Sequence, residues 1–122
     1  MSNDSETESK PAEIKITDIS EGIKMMTFGC GYVDFSVCDV VSQAFEENND
    51  GESDWFFNLN DLSFIDSEGV KTILACIRKV MDNDCRGVII CSNSSRPYRV
   101  LNILGITKSS MIFKNDVQYA LQ

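Results

Sequence analysis

Apolar positions fall along this chain with two alternating periods. From Glu13, Ile14 and Ile16 and then Ile23, Met25 and Thr27 recur at every second position, with turn residues between Asp18 and Gly22. That pattern predicts an antiparallel hairpin, its second strand ending near Cys30 between Gly29 and Gly31. Val37, Val40, Val41, Ala44 and Phe45 then recur at spacings of three and four. They predict a helix with Ser36 as its N-cap and Asn48-Asn49-Asp50-Gly51 as its stop. Trp55-Phe56-Phe57-Asn58-Leu59 is the most continuous apolar run and predicts a strand over 54–59 covered on both faces, as in a parallel sheet. The most regular helix pattern begins near Glu68 and carries Val70, Ile73, Leu74, Ile77, Val80 and Met81.

Polar residues from Asp82 to Gly87 interrupt that helix before a second buried strand, Val88-Ile89-Ile90-Cys91. Ser94-Ser95-Arg96-Pro97 predicts the opening of a short helix, with Leu101 and Leu104 facing inward and Gly105 closing it. Met111-Ile112-Phe113 predicts a final strand, and Asp116 to Leu121 a last helical turn or two. Strands alternating with helices after an initial hairpin imply a mixed α/β fold, with a sheet of about five strands, right-handed βαβ crossovers and three to four helices. In such sheets the loops leaving the carboxyl ends of the strands share one edge. Asp34 to Ser36, Asp61 to Gly69 and Asn93 to Arg96 are expected there. Residues 1–12, acidic and almost without apolar side chains, read as a disordered tail, and residues 13–122 as the one domain.

Composition narrows the classes of function. The 122 residues carry eleven Lys and Arg against nineteen Asp and Glu, a net charge of −8, which disfavours nucleic acid and anionic membrane surfaces and favours a protein partner. The polar start does not resemble a signal peptide, and no apolar run approaches the roughly 20 residues needed to span a bilayer, so a cytoplasmic protein without membrane insertion is expected. Cys30, Cys38, Cys76, Cys85 and Cys91 form no C-x-x-C pair and read as reduced, mostly buried thiols. The chain has no histidine. Most hydrolase triads and the commonest metal ligand are thereby excluded, and no enzyme activity, metal or cofactor is expected.

Strand and helix meet at Asp61-Leu62-Ser63-Phe64-Ile65-Asp66-Ser67-Glu68-Gly69. Hydroxyl and Asx residues are what any strand-to-helix turn would use for capping, so spacing alone favours a structural role for Ser63, Asp66 and Ser67. The stretch nevertheless resembles the D-L-S-x-[hydrophobic]-D-S-x-G motif of the STAS domain family, and in particular of free-standing anti-sigma factor antagonists. Gly31-Tyr32-Val33-Asp34 is similar to that family's G-x-[hydrophobic]-D, and Leu101 to Ile106 to its late L-x-x-x-G-[hydrophobic] segment. The likeness covers roughly residues 13–121.

The resemblance implies a small protein that captures a GHKL-type anti-sigma factor kinase, is released when that kinase phosphorylates Ser67, and is restored by a PP2C-type phosphatase. Around Ser67 it implies a partner-binding set of Asp34, Phe35 and Ser36, then Asp61, Ser63, Asp66, Glu68 and Gly69, with Ser94 and Arg96 from the later loop. For Ser94 and Arg96 a capped helix with solvated arginines is the competing account, and core packing competes for Phe35 or Tyr32. A monomer or weak dimer is expected. Glu68 departs from the family, whose members more often carry a small or hydroxyl residue there. Its charge bears on kinase recognition, although as a first-turn acid it also complements the helix dipole. The alternative is a STAS module that never switches, a scaffold or sensor subunit of a signalling or lipid-transport complex.

Overall fold

The computed structural model describes residues 10–122, and its central sheet has five strands. β1 (Ile14–Ser20) pairs antiparallel with β2 (Ile23–Phe28), and every later pairing in this sheet is parallel: β2 with β4 (Asp54–Asn58), β4 with β6 (Gly87–Ile90), and β6 with β7 (Phe113–Lys114). Helices α1 (Cys38–Asn48), α2 (Ser67–Asp82), α3 (Tyr98–Ile103) and α4 (Val117–Ala120) make or follow the crossovers. The mixed α/β architecture expected from the alternating periods is therefore the observed one.

The apolar run of β4 does have cover on both faces. Trp55 and Phe57 join Phe45 of α1 and Ile73 and Ile77 of α2 in the main core, while Phe56 turns the other way onto Val88, Ile90 and Ala120. Phe45 and Trp55 lie 4.9 Å apart between ring centroids, a tilted aromatic pair at the middle of that core. Outside it, Lys79 of α2 donates to Glu46 of α1 at 2.8 Å. Both side chains are more than half exposed, so the pair adds little beyond the packing beneath it.

Several boundaries differ from the sequence expectation. A second, two-stranded parallel sheet joins β3 (Tyr32–Val33) to β5 (Phe64–Ile65). The expected Ser36 cap is replaced by Asp34, whose Oδ1 accepts from the Ser36 N–H at 2.9 Å and opens a single 3₁₀ turn (Phe35–Val37) ahead of α1. Leu104 is 46% exposed instead of facing inward, because α3 has already ended and Gly105 follows with φ of 81°. Ser94 and Ser95 do not cap α3, which begins after Pro97 with no side-chain cap. The last strand starts at Phe113, two residues later than the apolar triplet Met111-Ile112-Phe113 suggests. Of the five thiols, only Cys76 and Cys91 are buried, and Cys30 is exposed.

The expected tail, residues 1–12, lies outside the described residues up to position 9. Lys10 to Ala12 are paired: Ala12 N–H donates to the Tyr32 carbonyl at 2.9 Å, and Tyr32 N–H to the Lys10 carbonyl at 2.8 Å. This approach needs glycine at position 31, where a Cβ would stand 2.5 Å from the Lys10 carbonyl oxygen and 2.8 Å from the Ala12 nitrogen.

Candidate functional site at the strand-to-helix turn

The turn between β5 and α2 is built around Asp66. Its backbone is extended, its Oδ1 accepts from the Gly69 N–H at 2.8 Å, and its carbonyl accepts from the Val70 N–H at 3.1 Å, so Asp66 is the N-cap of α2. Oδ2 of the same carboxylate accepts from the Phe35 N–H at 3.3 Å. One side chain thus fixes the start of α2 and ties it to the loop that opens α1. Cys38 reinforces the tie, its Sγ lying 3.4 Å from the Asp34 carbonyl oxygen and 3.5 Å from that of Glu68.

With Asp66 as the cap, Ser67 is left as the first helical residue. It is exposed, and among the described residues its hydroxyl makes no hydrogen bond. Helix geometry leaves its own N–H and that of Glu68 without intrahelical acceptors. A dianion on the Ser67 oxygen would meet the positive end of a 16-residue helix dipole, so modification is compatible with the folded turn. Glu68 pairs with Lys71 one turn on, Lys71 Nζ donating to Oε2 at 3.0 Å with both side chains more than half exposed. This i,i+3 pair partly offsets the charge beside the serine.

The other expected residues divide between surface and scaffold. Phe35 is 73% exposed and Asp61 is exposed, both on this edge, and Phe64 is 51% exposed on β5. Tyr32 instead packs against the main core. Ser36 is exposed and its hydroxyl donates to Asp34 Oδ1 at 2.5 Å. Ser63 is a scaffold residue whose Oγ accepts from the Gly31 N–H at 3.3 Å and lies 3.1 Å from Cys30 Sγ. Gly69 is buried; a Cβ there would stand 2.6 Å from the Val33 carbonyl oxygen and 2.8 Å from Ile65 Cγ1.

Asn60, which the sequence did not single out, joins the later loop to this edge. Its Oδ1 accepts from the Ser92 N–H at 2.7 Å and from the Ser95 hydroxyl at 3.3 Å. Ser94 is exposed and shares a hydrogen bond with Ser92 Oγ at 2.9 Å, and Arg96 is exposed. The only hint in the sequence was position, two residues past the end of a parallel strand, where such an amide readily bridges adjacent loops. No group of three or more acids or thiols that could hold a metal ion occurs among the described residues, and no helix there is long and apolar enough to cross a membrane.

Comparison with solved structures gives the same chain trace. An anti-sigma factor antagonist from Mycobacterium paratuberculosis superposes with a TM-score of 0.76 at 19% identity, over 93% of this chain and 95% of that one. The Bacillus cell fate determinant SpoIIAA in its phosphorylated form gives a TM-score of 0.64 at 18% identity, over 89% of this chain and 96% of that one. A STAS domain protein from Planctomyces limnophilus gives 0.69 at 12% identity, over 92% and 97%. Among curated proteins no relative matches. The STAS domain family profile matches residues 14–120, which with the strand order and the turn at Ser67 means that this chain belongs to the STAS domain family.

Proposed function

We propose that this protein is an anti-sigma factor antagonist whose partner is a GHKL-type serine kinase, and that phosphorylation of Ser67 switches the interaction off. The observation that carries the proposal is the division of labour at the turn. Asp66 performs the capping that Ser67 would otherwise perform, and the exposed Ser67 hydroxyl is left for a partner's active site. Similarity to anti-sigma factor antagonists, one of them solved in a phosphorylated form, supports the reading.

The surrounding surface suits a binding switch. Phe35 and Phe64 supply exposed apolar area, and Asp34, Asp61 and Glu68 surround it with negative charge. Phosphate on Ser67 would add about −1.5 to −2 charges to that edge while leaving the Asp66 cap in place. A partner surface complementary to the unmodified edge would then be mismatched, and a PP2C-type phosphatase would restore the fit.

Affinity capture with wild-type, Ser67→Ala and Ser67→Asp proteins, followed by mass spectrometry, tests this. Ser67→Ala is expected to retain the kinase permanently, and Ser67→Asp to weaken capture at least about tenfold, or about 1.4 kcal/mol. Wild-type protein recovered with the kinase and ATP should carry phosphate at Ser67. Equal capture by all three proteins, with no phosphate at Ser67, would refute the switch. Glu68 favours a second reading in which the module binds without switching, as a scaffold or sensor subunit. That outcome predicts the same partners for all three versions.

A further inference from the structure

The charge of this chain is very unevenly placed. From Cys85 to Asn115 there is no acidic residue, while Arg86, Arg96, Arg99, Lys108 and Lys114 fall inside that stretch, so five of the eleven basic residues and none of the nineteen acids lie there. Those cations divide in space: Arg86 and Lys114 line one pocket with Met81 and Met111 at the amino end of β6, Arg96 lies in the loop that Asn60 joins to the Ser67 edge, and Arg99 and Lys108 lie on α3 and the turn after it. At the end of α3, Ile103 is 74% exposed and Leu104 46%. Arg99 and Ile103 are four residues apart across α3, which places them on one helix face, and Lys108 closes the 3₁₀ turn that follows.

The Ser67 edge has the opposite character. Phe35 and Phe64 are exposed there, and the same loops carry Asp34, Asp61 and Glu68, the last of them paired with Lys71. The end of α3 joins Ile103 and Leu104 to the cations Arg99 and Lys108, the Ser67 edge joins Phe35 and Phe64 to acids, and both occur on every copy of the chain. We infer that a second copy occupies the basic flank: the α3 surface of one molecule docks on the Ser67 edge of the next, head to tail. Net charge of −8 opposes association at long range. At physiological ionic strength, however, screening acts over about 8 Å, so a contact is governed by the local charges that meet in it.

Such a contact is heterologous, so it can extend through successive molecules instead of stopping at a symmetric dimer. It also places the Ser67 edge inside the contact, where a kinase and a second copy would compete. The inference goes beyond the kinase reading and does not depend on it, because self-association is measured with unmodified protein alone.

Sedimentation of the full chain, with charge-reversed variants mixed in pairs, tests it. Wild type is expected to show an average mass rising above 13.7 kDa with concentration, and falling again as NaCl is raised from about 0.05 to 0.5 M. Arg99→Glu/Lys108→Glu keeps only the acidic edge, and Asp61→Lys/Glu68→Lys only the basic flank. Each variant alone should remain at monomer mass, while an equimolar mixture forms a 1:1 dimer that does not grow. Ile103→Ser, which removes the apolar centre without altering the charge of the basic rim, should also abolish association, and circular dichroism melts confirm that each variant is folded. A monomeric wild type, a species that stops at twice the monomer mass, or folded variants whose mixture stays monomeric would each overturn the inference.

Discussion

At Gly69 the nearest pressure against a side chain comes from backbone, with the buried Ile65 side chain close behind it. The Val33 carbonyl oxygen would lie 2.6 Å from an added Cβ, and that carbonyl already accepts from the Asp66 N–H at 3.3 Å. Relief would have to separate β3 from the start of α2, the two pieces that Asp66 joins through Phe35. Gly69→Ala is therefore expected to destabilise by about 1–3 kcal/mol, although alanine is the better helix former, through displacement of the turn. Urea titration followed by circular dichroism checks the effect. A stability equal to wild type would show that the close approach is not enforced. The roles of Asp66 and Ser67 could not be separated in the sequence for a related reason, since both residue types cap helices and only the extended backbone at Asp66 decides which one does.

Among the elements, those with a long apolar pattern were legible and those made by tertiary pairing were not. β4 and α2 each carry enough apolar residues to announce their period, and both lie close to where that period put them. β3 and β5 are two residues each, too short for any alternation, and exist because Gly31 and Val33 place their carbonyls beside Ser63 to Asp66. Lys10 to Ala12 read as tail because proline and charge dominate them, yet their backbone pairs with Tyr32. The connection from α1 to β4 is a different case, since its turn residues read as a helix stop and only the folded loop shows them to be an acid-sensitive lock. Asp50 Oδ1 accepts from the Glu52 and Ser53 N–H groups at 2.9 Å each, and Oδ2 from the Ser53 hydroxyl at 2.8 Å. These bonds, the Glu52 N–H foremost, hold its carboxyl below the ordinary value of 3.8. A carboxyl depressed on folding stabilises fully above its unfolded value and loses that contribution as pH falls through the folded one. Asp50→Asn should thus be less stable than wild type at pH 6, with the gap closing below about pH 3.8 as the wild-type carboxyl takes up its proton. Parallel urea titrations at pH 6 and pH 3 would show this, and a gap independent of pH would contradict it.

Over the whole molecule, the thiols report how the core is closed. Cys76 on the inner face of α2 and Cys91 at the end of β6 both belong to the main core, and burial pushes each thiol up to about 11. At neutral pH neither presents thiolate, so neither should react with a disulfide reagent until the core opens. Cys30 is exposed, and Cys38 and Cys85 are partly covered. Reaction with Ellman's reagent at pH 8 is expected to show one fast phase, removed by Cys30→Ser, followed by slower modification of Cys38 and Cys85. The last two equivalents should appear with the same denaturant midpoint as loss of helical signal, because Cys76 packs between the helices and the sheet while Cys91 closes the carboxyl end of β6 beside the loop that Asn60 holds. If Cys91 reacted well before global unfolding, the Asn60 junction would be opening by itself, and the edge that carries Ser67 would be less rigidly tied to the sheet than its hydrogen bonds indicate. Coincident release of both thiols would instead mark the core and that edge as one cooperative unit, in which the turn that carries Ser67 opens only when the sheet does.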